Sequence, residues 1–359
     1  MPLAVITFSF DPLVRLGDWS VRWETVGIAV AILLALVIAA LIAGRVPVPL
    51  SGDGLEVQFG HLRRDDILYI AVGIVPGAVI GGRIAYVALH GEYFSRFPAT
   101  IADPATGGLA LSGAVVLGAL TGGLVARLFD GPIGRWYWVA VVPMLLALSL
   151  GKAANVLGGT GQGLPSTLDQ ATRYLGPGPW GSLGPDVPSV PAQAYEAIGV
   201  AVLLGLIAAA WLLGAFRSRD GRAFAVALGG WAVVRFGVAA TWRDPTVLGP
   251  LRAEQLIDVG IVAIAVVVYV WIALAKRRAG RSVPDEPVAT VAAGGSVATA
   301  TASATDAAAG PVGSGGAAEA EVPFVWDEPA STPPASGTPP PPPADVDPSW
   351  PDPETRRRF

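Results

Sequence analysis

Seven long apolar segments, separated by polar connections, set the pattern of the chain. They run approximately over 26–43, 67–89, 108–128, 136–157, 194–215, 222–241 and 255–275. Each is near the roughly 20 residues that carry a helix across a hydrocarbon core of about 30 Å. A helix satisfies its own backbone hydrogen bonds in lipid, and an open strand does not. The predicted fold is therefore an all-α integral membrane protein, a seven-transmembrane-helix bundle. The first segment does not read as a cleaved signal peptide, because acidic and aromatic residues precede it and no small-x-small site follows it.

The connections carry the orientation. Segments 44–66, 127–135, 216–222 and 276–281 hold 12 basic residues, against six in the N-terminal stretch, 90–107, 158–193 and 242–254. The excess marks the cytoplasmic side, so the N-terminus is expected outside and the C-terminus inside. Connection 158–193 is long, rich in Gly and Pro, and carries Trp180. Such loops are uncommon and often functional, and a small external cap is expected there. The membrane domain is expected to span 1–281. Residues 282–359 turn to Ala, Gly, Ser, Thr and Pro, with the run Pro339–Pro343, and are expected to form a disordered cytoplasmic tail.

Composition sharpens this picture. Of 359 residues 52% are hydrophobic and 14% charged, where soluble domains carry about 25% charged residues. The absence of cysteine excludes disulfides, thiolate metal sites and thiol nucleophiles. His61 and His90 are the two histidines, so neither a metal site nor a cofactor is expected. The net charge of −4 conceals a tail at −8 and a body at +4. Nucleic acid is not an expected partner.

Ionisable residues inside membrane spans are costly and mark functional candidates. Given the orientation above, they fall in the outer leaflet: Arg83 and His90 late in the second segment, Ser112 early in the third, Lys152 and Asn155 late in the fourth. Gln193, Tyr195 and Glu196 open the fifth, Arg235 lies late in the sixth, Gln255 and Asp258 open the seventh, and Glu24 opens the first. Arg83, Lys152 and Arg235 at one depth suit a phosphate, and phospholipid headgroups are the nearest source. The competing reading pairs these cations with Glu24, Glu196 and Asp258, or lets them snorkel to the interface. Gly77, Gly81, Gly82, Gly118, Gly122 and Gly123 follow the small-xxx-small spacing of close helix packing. Gly158–Gly163 looks like a phosphate-cradling loop only superficially, since neither a preceding strand nor a following Lys-Ser/Thr accompanies it.

Several segments in order resemble one family. These are Val21-Arg22-Trp23, Gly81-Gly82-Arg83-Ile84-Ala85-Tyr86-Val87, Gly107-Gly108-Leu109-Ala110-Leu111-Ser112-Gly113, Gly151-Lys152-Ala153-Ala154-Asn155 and Pro191-Ala192-Gln193-Ala194-Tyr195-Glu196. Arg235-Phe236 with Asp244, Arg252 and Gln255 completes the set. Together they are similar to the bacterial prolipoprotein diacylglyceryl transferases over roughly residues 5–275. The resemblance implies a multi-pass protein of the bacterial cytoplasmic membrane. It implies transfer of diacylglyceryl from phosphatidylglycerol to the lipobox cysteine of a preprolipoprotein, with glycerol phosphate leaving. It implies catalytic roles for Lys152, Glu196 and Ser112, and substrate binding by Arg83, Asn155, Gln193, Tyr195, Arg235, Arg243 and Gln255.

The chain departs from the family pattern where the chemistry is usually placed. Ser112 stands at the family's His, Lys152 at its signature Arg, and Glu24 at the Tyr after Arg-Trp. Gly158 and Thr160 replace a downstream Asn and Glu, and Ala239 and Trp242 a Glu and an Arg, with Arg243 one place later. Ser112 is no base at neutral pH, which leaves Glu24, Glu196 and His90 as substitutes for deprotonating a thiol of pKa about 8.5. Two readings stand: a divergent transferase, or a catalytically inactive relative that binds phospholipid or a partner protein. A channel or transporter is the weaker third, because the inner halves of the spans lack polar residues to line a path.

Overall fold

The computed structural model of this chain describes residues 5–50, 58–102, 108–129, 131–182 and 184–281. The tail at 282–359, with its expected disorder, lies outside the described residues.

Among the described residues seven long helices fill the body: α1 (Trp23–Ala43), α2 (Asp66–Leu89), α4 (Leu111–Leu128), α5 (Ile133–Gly158), α6 (Ala192–Leu212), α7 (Arg222–Ala239) and α8 (Ala253–Arg281). All seven are long and apolar enough to cross a membrane, with mean hydropathy from 1.3 for α7 to 3.1 for α1. A short helix, α3 (Gly91–Arg96), follows α2. The long helices turn apolar side chains outward, Leu212 at 90% exposure and Val72 at 71%, as a surface solvated by lipid does.

Lipid gives helices no hydrophobic reason to associate, so close packing must hold the bundle. The α2–α4 pair shows how. A Cβ on Gly81 would strike the main chain at Gly113, and one on Gly113 would strike Gly81. Gly77 receives Thr121 in the same seam. Gly27 of α1 lies against Ala154 of α5, and Gly199 of α6 against Val234 of α7. An apolar cluster of Val141, Leu145, Val200, Ile207, Trp231 and Ile261 joins α5 to α8. A second cluster, near the start of α5, gathers Ala43, Val46, Ile67, Ala126, Trp136 and Val139.

The helix ends differ from the apolar pattern in instructive places. α4 begins at Leu111 rather than 108, because Ala110 is extended and donates its N–H to the Gly82 carbonyl at 2.9 Å. α8 runs past the apolar stretch to Arg281, its basic end complementing the negative pole of the helix dipole.

Among the described residues eight short strands, invisible in the apolar pattern, form four two-stranded pieces. β1 (Ile6–Phe8) pairs in parallel with β6 (Thr172–Tyr174). β2 (Leu13–Leu16) pairs with β3 (Trp19–Arg22), β4 (Pro47–Leu50) with β5 (Gln58–His61), and β7 (Thr246–Leu248) with β8 (Leu251–Arg252), all antiparallel. The β1–β6 pair ties the N-terminal stretch to the 158–193 connection. Phe8 stacks on Tyr174 with centroids 5.1 Å apart, and Phe10 meets the buried Trp180 edge-on at 5.2 Å.

Candidate functional site

Neighbouring helices alternate in direction, so the starts of α1, α4, α6 and α8 meet the ends of α2, α5 and α7 at one end of the bundle. Polar side chains that are far apart in sequence converge there.

Arg235 of α7 is the hub, only 2% exposed. Its Nη2 donates to Glu254 Oε2 at 2.6 Å. Its Nε lies 3.3 Å from Asp258 Oδ1 and its Nη1 4.0 Å from Glu196 Oε1. Lys152 of α5 reaches Glu196 Oε2 at 2.8 Å. Ser112 Oγ of α4 donates to Glu254 Oε2 at 3.3 Å. Trp242 covers both cations, 4.8 Å from the Arg235 guanidinium and 5.8 Å from the Lys152 ammonium. Cations over an aromatic face and beside carboxylates satisfy the demand that buried charge be paired.

Two cations thus face three carboxylates, so the cluster is short of positive charge before any ligand enters. Among the described residues the carboxylate oxygens of Glu196 and Asp258 are close to cations but have no well-aligned hydrogen-bond donor. The Gln193 carbonyl oxygen, also buried, lacks one too. Buried acceptors of this kind call for a further donor.

A second constellation adjoins the first along α5. Asn155 lies three residues after Lys152, one turn along the same face. Glu24 Oε2 accepts from the Thr160 hydroxyl at 2.8 Å. With its amide turned so that nitrogen meets the acceptors around it, Asn155 donates to Glu24 Oε1 at 3.3 Å and to the Gly151 carbonyl at 3.0 Å. Gly158 leaves room for this carboxylate, since a Cβ there would collide with it. Arg22 beside it holds the carbonyls of Gly158 and Pro179, at 3.4 and 3.3 Å.

The remaining residues singled out in the sequence make the following contacts. Arg83 donates to the main-chain carbonyls of Thr100, Ile101 and Gly108, at 2.6, 2.8 and 3.3 Å, and lies over Phe94. It fastens the connection after α3, and it does not join Lys152 and Arg235 around Glu196 as a set of three cations at one depth would. Arg243 donates to the Gly163 carbonyl at 2.8 Å and to Ser189 Oγ at 2.9 Å, pinning the 158–193 connection. Gln255 accepts from the Arg252 N–H at 2.9 Å, the return half of a capping box at the start of α8, and donates to Phe236 O at 3.1 Å. Gln193 donates to the Tyr174 hydroxyl at 3.2 Å, and that hydroxyl donates to Val156 O at 2.9 Å. Burial pushes the Tyr174 hydroxyl up to about 12. Tyr195 is half-buried in the first turn of α6. His90 ends α2 exposed, with Nδ1 2.9 Å from Tyr86 O.

Comparison with known proteins places this arrangement. The profile of the family described as prolipoprotein diacylglyceryl transferase matches residues 12–271, which includes all seven long helices apart from the last turns of α8. The chain belongs to that family. It is 25% identical to the phosphatidylglycerol–prolipoprotein diacylglyceryl transferase of Nostoc sp. over 293 residues, 79% of this chain and 97% of the relative. It is 26% identical to the enzyme of that name from Bacillus mycoides over 286 residues, 75% of this chain and 93% of the relative. The Clostridioides difficile relative is 24% identical over 218 residues, 60% of this chain and 82% of its own length.

Within this family's bundle, one residue of the cluster escapes a reading of the sequence. Glu254 sits in the first turn of α8, where an acidic residue needs no explanation beyond the helix dipole. Its contact with Arg235 becomes visible only when the end of α7 and the start of α8 meet. The signal available was its place four residues before Asp258, on the same helix face.

Proposed function

We propose that this protein transfers the diacylglyceryl group of phosphatidylglycerol to the thiol of a lipobox cysteine at the end of the bundle that holds Arg235. The observation that carries this reading is the buried Lys152–Glu196–Arg235–Glu254–Asp258 cluster, assembled from four helices of a chain that belongs to the transferase family. The basic excess in the connections at the other end supports a cytoplasmic position for that end and an outer position for this one. The substrate is then an outer-leaflet lipid and a translocated preprolipoprotein.

The thiol must lose its proton and the departing phosphate must be stabilised. Glu24 is the better base than Glu196, because two cations lie within 4.0 Å of Glu196, while Glu24 contacts a hydroxyl and an amide and its neighbour Arg22 is engaged by main-chain carbonyls. It takes the thiol proton, the sulfur attacks the terminal glyceryl carbon of the diacylglycerol, and the carbon–oxygen bond to phosphate breaks. Glycerol phosphate leaves with the bonding pair on oxygen, met by Lys152 and Arg235. Lys152, the more exposed cation at 17% against 2%, exchanges Glu196 for a phosphate oxygen. The unaligned oxygens of Glu196 and Asp258 and the Gln193 carbonyl suit the hydroxyls of a glycerol headgroup.

The charge count supports a second reading. Both cations are already matched by carboxylates, as in an inactive relative that keeps a lipid-shaped site without the reaction. Detergent-purified protein with phosphatidylglycerol and a lipobox peptide distinguishes them by mass spectrometry. The transferase produces peptide heavier by one diacylglyceryl group. Glu24→Gln is expected to slow it by about 10²–10⁴-fold with phosphatidylglycerol binding retained. Binding without product in the unaltered protein establishes the inactive relative.

A further inference from the structure

The other end of the bundle holds a wide-mouthed, largely open cavity of about 530 Å³, at the start of α5. Counting along α5 from Ile133 to Lys152, it lies about 28 Å from the ion cluster. Its walls are the end of α4, the start of α5, β4 and the turn between α6 and α7.

Arg127, Arg135 and Arg219 line it together with Asp220. The one acid is already engaged: Asp220 meets Arg222 at 3.0 Å and Lys276 at 3.8 Å. Among the described residues none of the three arginines forms an ion pair. Among the described residues the lining therefore carries three arginines against one carboxylate that other cations already engage.

Arg219 is held there at a cost. It is a non-glycine residue in the left-handed region, at φ 49°, and Phe216 three positions earlier is another, at φ 57°. Such positions are strained for bulky residues and persist only where surrounding structure imposes them. Trp138 supports the side chain, its ring 5.3 Å from the Arg219 guanidinium and stacked on Trp211 at 4.7 Å. The start of α5 packs so tightly on the turn that a Cβ at Gly134 would press on the Asp220 backbone.

We infer that this cavity binds a phosphate-bearing anion. Guanidinium forks match phosphate oxygens in geometry as well as charge. The volume lies in the range of small-ligand sites and suits a phospholipid headgroup or a free phosphate compound. The inference is independent of the transfer reaction, which it neither needs nor supports.

The absence of cysteine makes a local probe available. Val48→Cys, on the cavity wall, gives the full chain a single thiol for a polarity-sensitive fluorophore. The labelled protein is titrated with short-chain phosphatidylglycerol, short-chain phosphatidylcholine and inorganic phosphate. A saturable response to phosphatidylglycerol alone assigns a lipid headgroup, and a response to inorganic phosphate assigns a soluble ligand. Either should weaken at least about tenfold in Arg135→Gln/Arg219→Gln, and should weaken with added salt. Arg127→Gln, on an exposed side chain, keeps the test available if that double variant does not fold. The inference is overturned by no response to any of the three, by an equal response to phosphatidylcholine, or by folded variants that titrate unchanged.

Discussion

Arg235→Met is the most informative single change. The substitution keeps a long apolar stem under Trp231 and Trp242 and removes the guanidinium that joins three carboxylates. What is lost is one short ion pair to Glu254 at 2.6 Å, one to Asp258 at 3.3 Å and a looser one to Glu196 at 4.0 Å. Asp258 and Glu196 are 0% and 1% exposed, so water cannot replace the missing cation. Breaking a buried pair by removing one partner costs about 3–5 kcal/mol. For a bundle of this size that is a fall of about 6–20 °C in the unfolding midpoint. Thermal unfolding of the detergent-solubilised protein, followed by tryptophan fluorescence, measures it. The decisive step is the repair. Adding Glu254→Gln and Asp258→Asn to Arg235→Met leaves Lys152 and Glu196 as a matched pair, and about half of the lost stability should return. A midpoint within about 2 °C of the parent for Arg235→Met, or no recovery in the triple variant, would refute the account of this cluster as mutually compensating buried charge.

Three further outcomes follow from the structure. Gly113→Val should separate α2 from α4, because its side chain would collide with the Gly81 main chain, and the protein should lose thermal stability in detergent, whereas Gly237→Ala, which meets open space, should not. Tyr174 should be among the last tyrosines to ionise, because burial pushes its hydroxyl up to about 12. The folded protein holds that proton more tightly than the unfolded chain, so the contribution is full below about pH 10 and lost as pH rises through 12, and ultraviolet titration of the parent against Tyr174→Phe should show one late tyrosine missing. For Asp220 burial raises the carboxyl, but hydrogen bonds from Arg222 and Ser218 outweigh it and hold the group below its ordinary 3.8. Its stabilisation is therefore present above that value and lost as pH falls beneath it, and Asp220→Asn should flatten the acid limb of the stability profile.

The residues themselves show what could be read before folding. The seven spans were legible because lipid tolerates no unpaired backbone, so each crossing must appear as an apolar run of helix length. The depth of Lys152, Glu196, Arg235 and Asp258 was legible for the same reason, since alternating helices put residues of similar depth at one end. The small residues of α2 and α4 were legible as a packing seam because nothing else holds helices together in lipid. Partnership was not legible. Charge and depth alone left Lys152 and Arg235 free to meet a phosphate or a carboxylate, and only the lateral order of α5, α6, α7 and α8 sets both beside Glu196. Arg83 shares their depth, yet its side chain reaches three carbonyls after α3. Glu254 looked like any acid at a helix start until α7 ended beside it. The β1–β6 pair joins residues some 166 positions apart, which no local pattern announces. The sequence alone thus determined which residues cross the membrane and how deep each lies, because the bilayer is a one-dimensional constraint along its normal. Which side chain faces which was decided only by tertiary packing, because neighbours within the membrane plane are chosen by shape and charge contacts that a linear pattern does not contain.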